Sequence, residues 1–308
     1  MEKSRIALFS GRAHPGLAAA IAADLGIELG NCILENFPDH EIGVQIVDSV
    51  EGCHVFLLQP TGPPAADHFL ELMLMADACK RGGAVRVTAL VPYFGYGRQD
   101  RKAQPGEPVG ARLMAELMES RIDRLVTVDL HTPAIEGFFR IPVEHVSAIP
   151  LLAAGLRPGL APHSVLVAPD LGAAKMARRY SQLLDLPVAY IYKARLSGSR
   201  ISVREVVGEV KGRSPVLVDD MISTGATLVS AMDAVLDRGC MPHFTLAATH
   251  ALLVGDAVQQ LASFPLSRLI VTDSIAQLNF GSLPVQVVSL KTILAEAIRK
   301  LSPSITPG

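Results

Sequence analysis

Short apolar runs that stop abruptly at small, acidic or hydroxyl residues, each followed by apolar residues at helical spacing, recur along the chain. The run Val216, Leu217, Val218 ends in Asp219 and Asp220, crosses Ser-Thr-Gly-Ala-Thr, and resumes at Leu228, Met232, Val235 and Leu236. An unbroken apolar run marks a strand buried on both faces, and three-to-four spacing marks a helix packed on one face, so this stretch predicts strand, loop and helix. The same reasoning predicts strands at 6–10, 41–47, 54–58, 85–91, 126–130, 165–168 and 188–192, and helices at 17–25, 67–80 and 291–301. Strands alternating with helices predict an α/β fold with mainly parallel sheets.

The plan repeats within the chain. HVFLLQPTGPPAADHFLELMLMADACKRGG and SPVLVDDMISTGATLVSAMDAVLDRGC share a strand, a Thr-Gly loop, a helix and an Arg-Gly helix end. Aligning Thr61-Gly62 with Thr224-Gly225 puts Phe56 and Leu57 where Asp219 and Asp220 stand. A duplicated unit follows, with the acids kept only in the second copy.

Composition narrows the picture. The 308 residues fit two domains at roughly 150 each. A net charge of −2 argues against a nucleic-acid surface, which needs clustered Lys and Arg. The apolar stretch 17–23 is interrupted by Asp24, so neither a signal peptide nor a membrane span is expected, and a cytoplasmic protein is. Cys32, Cys53, Cys79 and Cys240 are dispersed and read as free core thiols rather than zinc ligands.

The residues with candidate chemistry lie at strand ends and in the loops that follow. Backbone N–H groups around 224–227, with the hydroxyls of Ser223, Thr224 and Thr227, suit a phosphate at a helix N-terminus, while Asp219 and Asp220 suit sugar hydroxyls or hydrated Mg²⁺. A capped helix after a core strand is the plainer alternative for any one of these residues. PYFGYGRQDRK, 92–102, interleaves Tyr93, Phe94 and Tyr96 with glycine before a run of charges. It suits adenine stacking and polyphosphate clamping, or a solvated basic loop. NFPDHEIGVQI reads as a turn opening an acidic hairpin lip, and LSGSRISVREV, after Lys193 and Arg195, as a mobile loop. His131 and Asp170 stand at strand ends, where parallel sheets place ligands.

The run 216–229 resembles the ribose-phosphate loop of the phosphoribosyltransferase superfamily. PYFGYGRQDRK is similar to the most recognisable motif of the ribose-phosphate diphosphokinases, and the likeness extends in order through NFPDHEIGVQI, VTVDLHTPAIEGFFRIPVEH, VLVAPDLGAAKMARRYSQLL, YKAR, ATH and VTDS. The resemblance implies two phosphoribosyltransferase-like domains related by duplication: 1–147, with a C-terminal helix 287–302 packing back on it, as the ATP side, and 148–286 as the ribose 5-phosphate side. It implies transfer of the β,γ-diphosphoryl group of MgATP to the C1 hydroxyl of ribose 5-phosphate, giving phosphoribosyl pyrophosphate and AMP, with Mg²⁺ as cofactor. Lys193 and Arg195 are then catalytic; Phe37, Asp39, Glu41, Arg98 and Gln99 bind ATP. Asp219, Asp220, Ser223, Thr224, Gly225, Ala226 and Thr227 bind ribose 5-phosphate, and His131 and Asp170 serve the metal. Self-association, as a dimer or a hexamer of dimers, is implied, with no nucleic-acid or membrane partner. A phosphoribosyltransferase and a silent synthetase-associated subunit are the alternatives.

The chain departs from the family pattern in places. His40 stands where Gly is usual, Ser223 where many members have Asp, and Ala226 where Gly is common. Glu51 replaces a usual Arg, and the segment 103–110, AQPGEPVG, replaces a Ser/Arg-rich loop. A carboxylate where a guanidinium would meet phosphate reverses the local charge, so activation by phosphate and inhibition by ADP are expected to be weak or absent.

Overall fold

A computed structural model of the chain describes residues 5–195, 202–276 and 279–302, and of 193–195 and 202–204 the backbone alone. Its described residues fall into two compact units, one within Met1–Ser147, Ser274–Ala276 and Ser289–Gly308, the other within Ala148–Asp273 and Gln277–Val288.

The first unit begins β1 (Ile6–Ser10), α1 (Pro15–Leu25), the hairpin β2 (Cys32–Asn36) and β3 (Ile42–Ile46), β4 (His54–Leu58) and α2 (Ala65–Arg81). It continues with β5 (Arg86–Val91), α3 (Gly110–Glu119), β6 (Arg124–Val128), a 3₁₀ turn at Pro133–Phe138 and β7 (Val143–Val146). Its main sheet has the order β1-β4-β5-β6-β7 and is parallel throughout. Every residue of β4 is buried, as a central strand covered on both faces requires, and each Leu or Phe so buried contributes about 1.5–3 kcal/mol.

The second unit runs α4 (Ile149–Leu156), β8 (Ser164–Ala168), α5 (Ala174–Leu184), the hairpin β9 (Val188–Arg195) and β10 (Ser202–Val207), β11 (Ser214–Ile222) and α6 (Ala226–Leu236). Then come β12 (Phe244–Ala251), α7 (Ala257–Ala262), β13 (Leu266–Thr272) and β14 (Val285–Val288). Its sheet has the order β10-β9-β8-β11-β12-β13-β14, with only β10 antiparallel to its neighbour. Leaving out the hairpins, β1-β4-β5-β6-β7 and β8-β11-β12-β13-β14 are one topology written twice, with a helix and a hairpin between the first two strands of each. The duplicated, mainly parallel α/β architecture expected from the sequence is what the chain adopts. α8 (Lys291–Leu301) belongs to the first unit, where Arg299 Nη2 donates to Asp24 Oδ1 at 2.9 Å and Ser302 Oγ lies 2.9 Å from His54 Nδ1.

Several boundaries differ from expectation at the positions that matter. β6 stops at Val128, because Asp129 takes φ +36° and breaks the extended backbone, so His131 lies past the strand rather than on its end. β9 continues through Lys193 and Arg195, which pair with Arg204 and Ser202 of β10. The expected loop is therefore half strand, and only 196–201 of it lies outside the described residues. β11 likewise runs past Asp219 and Asp220 to Ile222 instead of ending at them. α1 starts two residues early, since Pro15 fits its first turn and His14 Nδ1 accepts the Leu17 N–H at 3.1 Å. Cys53, Cys79 and Cys240 are free and buried, with Cys32 half-buried.

Candidate active site

In the second unit, β11 delivers Asp219 and Asp220 toward its carboxyl end, and the chain turns into α6 at Gly225, whose φ of +79° favours glycine. The N-cap position of α6 is Gly225, which offers no side-chain cap. Thr224, Ala226 and Thr227 are exposed at the positive end of the helix dipole. The loop itself is anchored from behind: the Val254 N–H donates to Ser223 O at 3.1 Å, and Leu252 and Leu253 N–H groups donate to Ile222 O at 2.9 and 3.0 Å. A small, open, anchored loop at a helix N-terminus can receive an anion.

Asp220 is buried and Asp219 half-buried, and the Asp220 N–H donates to Asp219 Oδ1 at 2.9 Å. Burial pushes the Asp219 carboxyl well above the usual carboxylate range, and the neighbouring Asp220 and Asp170 carboxylates push it further. The structure thus brings Asp170, after β8, into the electrostatic reach of the β11 pair. Asp170 is exposed, and its Oδ1 accepts the Ala173 N–H at 3.0 Å at the start of α5. Mutually repelling carboxylates suit donors such as sugar hydroxyls or a hard divalent cation. Among the described residues no three His, Cys, Asp or Glu side chains form a ready-made metal cage; Mg²⁺ usually takes one or two carboxylates, with waters and substrate phosphates completing its shell. The donor set therefore fits Mg²⁺. Lys193 and Arg195 are placed by backbone near the end of β9, and their side chains lie outside the described residues.

In the first unit, the segment after β5 only partly matches its expected role. Tyr93 and Phe94 are buried, Phe94 standing edge-on to Phe139 at 5.9 Å, so these two rings are core rather than an adenine-stacking surface. Thr61 holds the segment in place: its N–H donates to Tyr93 O at 2.9 Å, and its hydroxyl accepts the Gly95 N–H at 2.7 Å. A Cβ at Gly95 would sit 2.2 Å from Thr61 O, which is why glycine is needed here. Arg98 and Gln99 emerge from this braced turn exposed, as a nucleotide-binding role requires. His131 is also exposed.

Phe37, 47% exposed, tops the β2–β3 hairpin. Its N–H donates to Glu41 O at 2.8 Å, and Asp39 Oδ1 accepts the Glu41 N–H at 3.2 Å, so the three expected ATP-side residues share one tight turn. His40 takes φ +70° in that turn, a conformation that explains why glycine suits the position.

Sequence reasoning missed a polar network beside this hairpin. Glu71, 1% exposed, joins Arg12, Gln59 and, through Arg12, Asn36. Its position four residues before buried Met75, on the apolar stripe of α2, is the signal that could have revealed it.

The family model for the N-terminal domain of ribose phosphate pyrophosphokinase matches residues 6–121, and that for the phosphoribosyl synthetase-associated domain matches 199–304. A ribose-phosphate pyrophosphokinase of Staphylococcus aureus (strain Mu50 / ATCC 700699) is 40% identical over 278 residues, 89% of this chain and 86% of that protein. One from Staphylococcus epidermidis is 38% identical over 303 residues, 96% of this chain and 94% of that protein. The crystal structure of phosphoribosylpyrophosphate synthetase from Mycobacterium smegmatis superposes with a TM-score of 0.91 at 37% identity, covering 97% of this chain and 99% of that one. The chain belongs to the ribose-phosphate pyrophosphokinase family.

Proposed function

We propose that the chain is an active ribose-phosphate pyrophosphokinase, transferring the β,γ-diphosphoryl group of MgATP to the C1 hydroxyl of ribose 5-phosphate. The observation that carries this most is β11 leading Asp219 and Asp220 into a helix that starts from Gly225: carboxylates for sugar hydroxyls followed at once by an anion site for the 5-phosphate. The C1 oxygen attacks the β-phosphorus, the bond to the α,β-bridging oxygen breaks, AMP leaves, and the hydroxyl proton is released.

Asp219 and Asp220 accept hydrogen bonds from the ribose 2- and 3-hydroxyls. Ser223, Thr224, Gly225, Ala226 and Thr227 hold the 5-phosphate through N–H groups and hydroxyls. Arg98 and Gln99 hold ATP, while Phe37 stacks on adenine with Asp39 and Glu41 at its polar edge. Lys193 and Arg195 neutralise charge that builds on the transferring group, the largest single service a phosphoryl-transfer site provides. Mg²⁺ would neutralise the phosphates when bound, and the Asp170 carboxylate in the second unit and the His131 imidazole in the first would each serve as a protein ligand to it. The segment 1–147 with 287–302 serves ATP, and 148–286 serves ribose 5-phosphate. The protein works in the cytoplasm as a homo-oligomer, a dimer or a hexamer of dimers, in which the Phe37 turn serves a neighbouring subunit's nucleotide. Among the described residues no helix is long and apolar enough to cross a membrane.

Phosphorus NMR of the protein with ATP, Mg²⁺ and ribose 5-phosphate tests this reading. AMP and a sugar-linked pyrophosphoryl group should appear in equal amounts. ADP as the nucleotide product, or no turnover, would contradict it.

A further inference from the structure

The hairpin formed by β2 and β3 is a two-stranded sheet of its own. Its polypeptide touches the main sheet of its unit through an isolated bridge between Leu8 and Leu29, and the Gly30 N–H donates to Leu8 O at 2.8 Å. An isolated two-stranded hairpin is marginal in water, so its geometry must come from what it packs on. Cys32, Leu34, Val44 and Ile46 pack their apolar sides on the core, which secures the stem. The turn at 37–41 lies beyond that apolar contact.

Arg12 supplies a polar connection at the turn end. Glu71 is 1% exposed, and a carboxylate buried that deeply is costly unless donors surround it. Its Oε1 accepts the Arg12 backbone N–H at 2.7 Å and Gln59 Nε2 at 2.8 Å, and its Oε2 pairs with Arg12 Nε. Gln59 is fully committed as well, since its Oε1 accepts the Ala13 N–H at 3.1 Å and its Nε2 also reaches His68 O at 3.2 Å. The guanidinium is therefore held at its backbone and at Nε, and its Nη1 is aimed at Asn36 Oδ1. Asn36 is the last residue of β2, paired with Ile42, and the turn Phe37–Glu41 is strung between those two.

We infer that Arg12 is a positioning residue for the nucleotide: buried Glu71 fixes its guanidinium, and the guanidinium fixes Asn36 and so the orientation of the Phe37, Asp39 and Glu41 turn. A planar fork can serve the carboxylate and the amide at once from fixed positions, which a lysine ammonium in place of Arg12 cannot do as well. This rests on the reading of that turn as the adenine side.

Asn36→Ala is the primary test, because it cuts the clamp while leaving the Arg12–Glu71 pair intact and no buried charge exposed to loss of its partner. Arg12→Lys is the companion variant. In the full-length protein without nucleotide, hydrogen exchange at the amides of 36–42 should accelerate about tenfold in Asn36→Ala, the effect of losing one charge-assisted hydrogen bond, and less in Arg12→Lys. The KM for ATP should rise about tenfold in Asn36→Ala, with kcat and the KM for ribose 5-phosphate within about twofold of wild type. Unchanged exchange in Asn36→Ala would overturn the clamp, even if the protein proved to have another activity. Faster exchange with an unchanged KM for ATP in an active enzyme would overturn its role toward the nucleotide, and equal losses toward both substrates would do the same. A wild type without synthetase activity would count against the proposed function, while the exchange data would still decide whether Arg12 holds the turn.

Discussion

The Leu130 N–H donates to His145 Nε2 at 3.0 Å, and His145 Nδ1 lies 2.6 Å from Glu136 Oε1. An acceptor at Nε2 requires the proton of a neutral ring to be on Nδ1, pointing at Glu136. The carboxylate thus sets the tautomer, and the imidazole sets the backbone that leads into His131. Replacing His145 by Leu leaves the buried Leu130 N–H without its acceptor and should cost about 1–3 kcal/mol in urea unfolding. Glu136→Gln keeps an acceptor for Nδ1–H and should cost much less. Equal losses in both variants would contradict the stated direction of the hydrogen bonds.

His54 gives the fold a pH dependence of known sign. Burial, followed by the Arg86 and Arg124 cations, pushes its pKa from 6.5 down to about 4. The folded value lies below the unfolded one, so its contribution is complete above about pH 6.5 and is lost as the pH falls through about 4. The amount at stake is roughly 3 kcal/mol. Denaturant unfolding followed across that window should show a steep loss in wild type and a shallower one in His54→Gln. Parallel curves would rule the histidine out as the source.

Asp219 works in the opposite direction. Its folded pKa is raised by burial and by Asp220 and Asp170, so ionisation at neutral pH weakens the ligand-free fold, and stability rises as the pH falls. Asp219→Asn should raise the Tm of the ligand-free protein at pH 7 by a few degrees while lowering affinity for ribose 5-phosphate at least about tenfold. Thermal melts with and without ribose 5-phosphate read both effects, and a variant that melts lower without ligand would refute the repulsion argument.

How far the sequence reveals these features depends on what stabilises each one. β4 and α8 fall where apolar patterning puts them, because burial alone defines them. Lys193, Arg195, Asp219 and Asp220 are polar residues inside strands, held there by backbone pairing to β10 and β12, which no local pattern announces. Asp129 ends β6 by a positive φ that its residue type permits but does not demand. Tyr93 and Phe94 sit in a motif whose glycines suggest exposure, but Gly95 serves a close approach to Thr61 and the rings turn inward. The strand, loop and helix of 216–236 are legible because their residues are contiguous; the Arg12, Asn36, Gln59 and Glu71 network is not, because its members meet only after α2 and the hairpin have packed.

Glu51 is exposed, and Glu107 Oε2 closes its own loop by accepting the Ala103 and Gln104 N–H groups at 2.8 and 2.9 Å. Carboxylates at both places where the family pattern has basic residues disfavour a regulatory anion. The rate of purified protein in a phosphate-free buffer should stay within about twofold of its rate with phosphate added. Strong dependence on phosphate would contradict this.

The most direct test of the central claim compares wild type with Lys193→Ala in the formation of AMP and phosphoribosyl pyrophosphate from MgATP and ribose 5-phosphate. Equimolar products from wild type are expected, with kcat in the variant lower by at least about a hundredfold, as for loss of a group that neutralises transition-state charge, and ribose 5-phosphate binding unchanged. Ribose 5-phosphate bound by a wild type that forms neither product, or a variant as fast as wild type, would contradict the account.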